Sequence, residues 1–194
     1  TRNSFLNAIK FLTLVGGSTN GVIHLLAMAK SANIDITLDD FKNQEHLPVL
    51  TNMKPHGTNV MNDLYNIGGT SIIIKYMIEL GILNGECLTV TGKTLKENTM
   101  NYPEIDFDSK IVLPFDNPFK LSSHINILSG NLAPNGCVSK IYSENKIFSG
   151  KAIVFNSEKE MLNSLQEGKI TQENFIILRY QGESIGCPEM LTPT

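Results

Sequence analysis

No run of lysine or arginine occurs in these 194 residues, which carry a formal net charge of -3 and a pI near 5.8. The footprint expected for a nucleic-acid backbone or an anionic membrane surface is therefore missing. A small anionic ligand would need local help from a helix N-terminus, a metal ion or a single basic side chain. Long apolar runs are missing too. Phe11 to Val15 and Ser71 to Ile74 fall well short of the roughly 20 apolar residues that a membrane span requires. Cysteine is scarce: Cys87, Cys137 and Cys187 lie far apart and form no CxxC or CxxH cluster, and no sequon or secretory leader accompanies them. An intracellular, reducing setting is the expectation, with cytosol, mitochondrion and plastid all open. Internal repeats and low-complexity tracts are also absent.

What is present suits a soluble globular chain. With 41% hydrophobic and 18% charged residues the length supports one domain or two small ones. The chain opens on Thr1 without a methionine and stops at Thr194 directly after a motif, so neither end is expected to be a natural terminus.

The first half reads as mostly helical. Phe5, Leu6, Ile9 and Leu12 follow helical spacing up to the Gly16–Gly17 pair. Ser18 and Thr19 are suitable caps for a second helix over Asn20 to Ala32, and Thr37 with Asp40 forms a capping-box variant starting a third at Leu38. Beyond Pro48 and the KPHG turn at 54–57, Thr58 is expected to cap a helix through Ile67, ended by Gly68 and Gly69. Ser71 to Leu80 forms another, Cys87 to Val90 a short strand, and Thr94 to Asn98 one helical turn.

Pro103, Pro114 and Pro118 punctuate residues 99–120 as an interdomain connection would, which places a boundary near 111. Beyond it His124 to Ser129, Cys137 to Tyr142, Ala152 to Asn156 and Phe175 to Tyr180 alternate as strands. One helix interrupts them, with a capping box at Ser157 and Glu160 and a stop at Gly168.

Two motifs invite chemistry. GGSTN at 16–20 sets two glycines, two hydroxyls and an amide at a helix N-terminus, where backbone N–H groups and the helix dipole favour an anion such as a carboxylate. The simpler alternative is a chain turn followed by a cap. Gly186 to Glu189 is a rigid turn carrying a carboxylate after a strand; Glu189 is either a hard oxygen ligand for magnesium or a solvated loop residue. His24 is expected to be packed or at the surface, and His46, His56 and His124 show no metal-ligand spacing. Cys87 and Cys137 are expected as small core side chains. Cys187 alone cannot hold an iron–sulfur cluster.

Read in order, GGSTNGVIHLLAMA (16–29), TLDDF (37–41), KPHG (54–57), MNDLYNIGGT (61–70), GECLTVTGKTLKEN (85–98), DNPFK (116–120), ILSGNLAPNGCVSKI (127–141) and PEMLTPT (188–194) resemble the dihydroxy-acid dehydratase family. The resemblance covers almost the full length, within a wider group that includes sugar-acid dehydratases. It implies an α/β architecture. Residues 1–110 would be the mostly helical tail of an α/β N-terminal domain, and 111–194 the beginning of a β-barrel-like C-terminal domain.

The resemblance implies dehydration of 2,3-dihydroxy-3-methyl carboxylates to 2-oxo acids in valine and isoleucine biosynthesis. It also implies an iron–sulfur cluster, magnesium, a homodimer, and neither nucleic-acid nor membrane partners. The family's PEM glutamate, a magnesium ligand, maps onto Glu189. Ser18, Thr19 and Asn20 are the candidate substrate contacts. The cluster cysteines, the other metal ligands and the catalytic serine would lie outside this segment, so the segment alone is expected to be inactive. Between Tyr180 and Pro188 this chain has the short QGESIGC where such enzymes usually carry a longer loop, with Cys187 in place of a methionine. A sugar-acid dehydratase and a noncatalytic interaction module are the alternatives.

Overall fold

A computed structural model describes residues 1–141, 147 and 149–180. They mix helix and strand, as an α/β chain should, in two compact units, Thr1–Tyr142 and Ser143–Thr194. The expected mixture of helix and strand is borne out.

The first unit is organised around α1 (Arg2–Leu14), capped by Thr1, whose hydroxyl accepts from the Ser4 N–H. Its apolar residues serve two cores. Leu14, with Phe11 and Val15, packs among Leu50, Ile72, Ile73, Met77 and Val112. Ile9, with Leu6 and Leu12, faces Val22, Phe41, Ile125 and Ile127. A helix with apolar side chains on both flanks is the expected wall between two clusters.

The glycine pair closes α1 in a Schellman arrangement. Gly16 N–H donates to the Thr13 carbonyl and Gly17 N–H to Leu12, with Gly16 at φ +62. α2 (Thr19–Ser31) then starts at once and crosses Leu12; a Cβ on Gly21 would lie 2.6 Å from Leu12 Cδ1, so a side chain there would require Leu12 to shift. In α3 (Leu38–Lys42) the Asp40 carboxylate accepts from the Thr37 N–H, as the capping-box spacing predicts, and is also bound by Arg2 at 2.6 Å. That ion pair ties the start of α1 to α3, and the guanidinium bond holds the Asp40 carboxyl below the usual carboxylate range.

α4 (Met61–Asn66) begins later than the cap at Thr58 predicts. Thr58 instead gives its N–H and hydroxyl to the Asn52 side chain, and Asp63 takes the Val60 N–H at the true helix start. The 54–59 turn, with a cis peptide at Lys54–Pro55, is thereby bound to the 51–53 segment. α5 (Gly69–Glu79) and α6 (Leu95–Thr99) follow, the latter capped by Thr94 with Glu97 in return. Cys87 to Val90 is not a strand. Leu88 makes one bridge to Thr94, while Leu88 and Val90 lie in solvent; hydroxyl bonds among Thr89, Thr91 and Asn98 hold a turn there instead.

The proline-punctuated stretch returns to the first core. A turn of 3-10 helix (Phe107–Ser109) leads to Ile111 and Val112, which are buried against the 49–53 segment through bridges Thr51↔Val112 and Val49↔Lys120. β1 (Ile125–Leu128) and β2 (Cys137–Lys140) then form an antiparallel pair whose Ile125, Ile127 and Val138 join the α1–α2 cluster. This register overturns the core placement expected for Cys137. Opposite Leu128 it falls on the outer face and is exposed, because the inward position belongs to its neighbour Val138. Cys87 is half-buried beside Asn7.

In the second unit β3 (Lys151–Phe155), α7 (Glu158–Gln166) and β4 (Asn174–Leu178) form a strand–helix–strand unit with β3 and β4 parallel. A helical crossover is what parallel neighbours require. Ser157 caps α7 as expected, but the Glu160 carboxylate reaches back to the Asn156 N–H. Both described sheets have two strands, and the described residues close no barrel.

Candidate functional site

The turn between α1 and α2 and the 54–56 turn face each other across a cavity of about 320 Å³. Gly16 to Ser18 form one wall, Thr51 and the Lys54–Pro55–His56 turn another, and Lys140 arrives from β2. The charged side chains in this lining are Lys54 and Lys140; no aspartate or glutamate is among the described lining residues. The Lys140 ammonium donates to the Gly16 carbonyl at 3.1 Å, which fixes the end of β2 against the α1–α2 turn. Burial pushes the Lys140 pKa down. A larger groove of about 450 Å³ between α1 and α2 is walled by Phe11, Leu12, Leu25, Met28 and Ile74, and has no acidic or basic side chain besides His24. Of these two, the smaller cavity is the one lined by lysine side chains.

His56 occupies the back of that cavity. Its Nε2 donates to the Thr51 carbonyl at 2.9 Å, the tautomer consistent with a carbonyl acceptor, so Nδ1 keeps the lone pair; that atom is buried without a hydrogen-bond partner. The ring meets His124 edge-on at 4.6 Å and Phe119 at 5.3 Å. His124 is 2% exposed; burial first, then the charges of His56, Lys120 and Lys140, hold it down to about 3. Burial also lowers His56, against the Thr51 bond and with help from Lys140. Both rings are neutral at pH 7 and pack as polar aromatics.

Among the candidate contacts, Ser18 lines the cavity. It is exposed, in extended conformation, and makes no side-chain capping bond. Thr19 is buried in the first turn of α2 and Asn20 half-buried beside it; neither side chain is in the lining. Glu189 and Cys187 lie outside the described residues. Lys140 and His56 were not legible as cavity residues, because they meet Gly16 from 124 and 40 positions away and no local periodicity encodes that meeting. The one prior signal was general: a weakly acidic chain needs a local cation to hold an anion.

Among the described residues no group of three or more His, Cys, Asp or Glu side chains stands close enough to hold an ion. No helix among them is long and apolar enough to cross a membrane.

Known proteins match this chain throughout. The family described as dihydroxy-acid/6-phosphogluconate dehydratase N-terminal matches residues 1–98, and its C-terminal counterpart residues 110–194. A dihydroxy-acid dehydratase of Francisella tularensis subsp. novicida is 48% identical over the whole chain, which spans 35% of that protein. One of Flavobacterium psychrophilum is 43% identical over the whole chain and 36% of its own length. A chloroplastic one of Arabidopsis thaliana is 43% identical over the whole chain and 33% of its own length. The chain thus spans about a third of the relatives it matches. With both halves matched in order, and the relatives aligned over the whole chain, the chain belongs to the dihydroxy-acid/6-phosphogluconate dehydratase family.

Proposed function

We propose that this chain is the central part of a dihydroxy-acid dehydratase, an intracellular hydro-lyase acting on 2,3-dihydroxy-3-methyl carboxylates in branched-chain amino-acid synthesis. In this reaction the C2 proton and the C3 hydroxyl leave as water, and the resulting enol tautomerises to the 2-oxo acid. Residues 1–110 would complete its N-terminal domain and 111–194 begin a barrel-like C-terminal one, in a homodimer.

The observation that supports this reading is the cavity beside GGSTN, which has lysines but no acidic side chain in its described lining. There the first turn of α2 presents the positive end of its dipole, and Ser18 adds a hydroxyl at the wall. We assign Ser18, Thr19 and Asn20 to the substrate's anionic end, through the hydroxyl of the first and the N-terminal turn formed by the other two. Magnesium and the iron–sulfur cluster would be held mainly by other parts of the longer protein, with Glu189 the one magnesium ligand of this sequence.

The experiment is 2-oxo acid formation by the anaerobically reconstituted full-length protein, with gluconate and 6-phosphogluconate as competing substrates and a Glu189→Gln variant alongside. Turnover of 2,3-dihydroxyisovalerate, lost in the variant, supports the assignment. Turnover of the sugar acids alone moves the protein to the neighbouring branch of its family, and no turnover with an intact cluster supports a noncatalytic module.

A further inference from the structure

We propose that Asn135, in the turn joining β1 to β2, is a site of spontaneous deamidation, with the Gly136 amide nitrogen as internal nucleophile and water as co-reactant. The inference is independent of the dehydratase reading.

The sequence contains three Asn–Gly pairs, Asn20–Gly21, Asn84–Gly85 and Asn135–Gly136. Glycine lacks the Cβ that would hinder its nitrogen from reaching the preceding carboxamide, so all three are chemically competent. The fold separates them. Asn20 is half-buried in the first turn of α2, where the Gly21 N–H donates to the Ser18 carbonyl at 3.0 Å and Gly21 lies against Leu12. Closing a ring there requires the start of the helix to unwind. Asn84 is exposed but held at three atoms. Its N–H and carbonyl are both bound by the Asn7 side chain at 2.9 Å, and its Oδ1 accepts from the Glu86 N–H at 3.0 Å. Asn7 is buried in α1, so that clamp opens only when the packing of α1 does.

Asn135 is under neither restraint. It is exposed in the turn after Pro134, and no hydrogen bond holds its carboxamide among the described residues. The local restraint is one turn bond, from the Gly136 N–H to the Ala133 carbonyl at 3.1 Å. A single bond at a loop tip opens without disturbing a core.

The chemistry balances with water alone. The Gly136 nitrogen loses its proton to solvent base and attacks Asn135 Cγ. The Cγ–Nδ2 bond breaks, and the side-chain nitrogen takes a proton from solvent and leaves as ammonia. Water then opens the cyclic imide at either carbonyl, giving aspartate or isoaspartate with no change of oxidation state. Either product adds one negative charge to the hairpin. Isoaspartate also routes the main chain through the former side-chain methylene, next to the Leu128↔Cys137 pair that ends the β1–β2 ladder.

The test ages the folded full-length protein in mildly alkaline buffer and maps its tryptic peptides at intervals. The three pairs fall in separate peptides, 11–30, 76–93 and 121–140. Peptide 121–140 is expected to gain the mass of one deamidation, placed at Asn135 by fragmentation, several-fold faster than the other two gain theirs. Asn135→Gln, which lengthens the side chain and disfavours the five-membered ring, should abolish the acidic species seen on ion exchange. In denaturant the three rates should converge, since only the fold sets them apart. Equal rates in the folded protein, a faster reaction at Asn20 or Asn84, or an intact Asn135 under conditions where the denatured protein reacts would each overturn the assignment.

Discussion

The His56 ring lies so close to Gly16 that a Cβ at position 16 would come 2.6 Å from its Cε1 and 2.9 Å from Val49 Cγ1. Gly16 also sits at φ +62, where side chains are strained. The GGSTN and KPHG motifs are thus two sides of one contact. Gly16→Ala is expected to lose about 1–3 kcal/mol of stability from backbone strain and crowding. Adding His56→Ala should restore the crowding part alone. A double-mutant cycle in urea should therefore show a favourable coupling between the two substitutions, and strict additivity would show that the ring moves aside at no cost.

Acid should weaken the same region before ordinary carboxylates titrate. An unfolded histidine takes up its proton as pH falls through about 6.5, whereas folded His124 resists until about 3. The unfolded state then binds more protons, so stability is fully present above about 6.5 and declines as pH falls toward 3. His56, also lowered, acts in the same direction. Melting temperatures between pH 7 and about 5, a span above the usual carboxylate range, should fall in the wild type and fall less in His124→Phe.

Asn7 joins α1 to the loop after α5 through two bonds, donating to the Asn84 carbonyl and accepting from the Asn84 N–H, each at 2.9 Å. It is 7% exposed, so water cannot readily replace either partner. Asn7→Asp keeps the acceptor but sets a carboxylate against the Asn84 carbonyl. An expected loss of about 1–3 kcal/mol follows from one buried polar group left without its partner. Chemical denaturation reads it directly, with the exposed Asn62 changed to Asp as the control.

Local signals in the sequence were enough for most helices. The two-glycine stop after α1, the Thr37–Asp40 pair and the Ser157 cap all depend on residues within a few positions of one another, and each appears in the fold. Thr58 misled because Asn52, six residues back, competes for its hydroxyl and N–H. Cys137 misled because alternation shows that a strand has two faces but not which face meets the core; Val138 against Ile127 decides that. The parallel pairing of β3 and β4 had no local signature either. At the cavity, the Gly16–Ser18 turn was legible only as a candidate anion-binding element, while Lys140 and His56 in the same lining come from β2 and from a turn distant in sequence.

Under the proposed function, the anionic end of a dihydroxy acid occupies the cavity beside Gly16. A crystal structure of the full-length protein with 2-oxoisovalerate tests it most directly. The product's carboxylate is expected at the first turn of α2, within hydrogen-bond distance of Ser18. A product bound elsewhere, with this cavity filled by another segment of the longer protein, would contradict it.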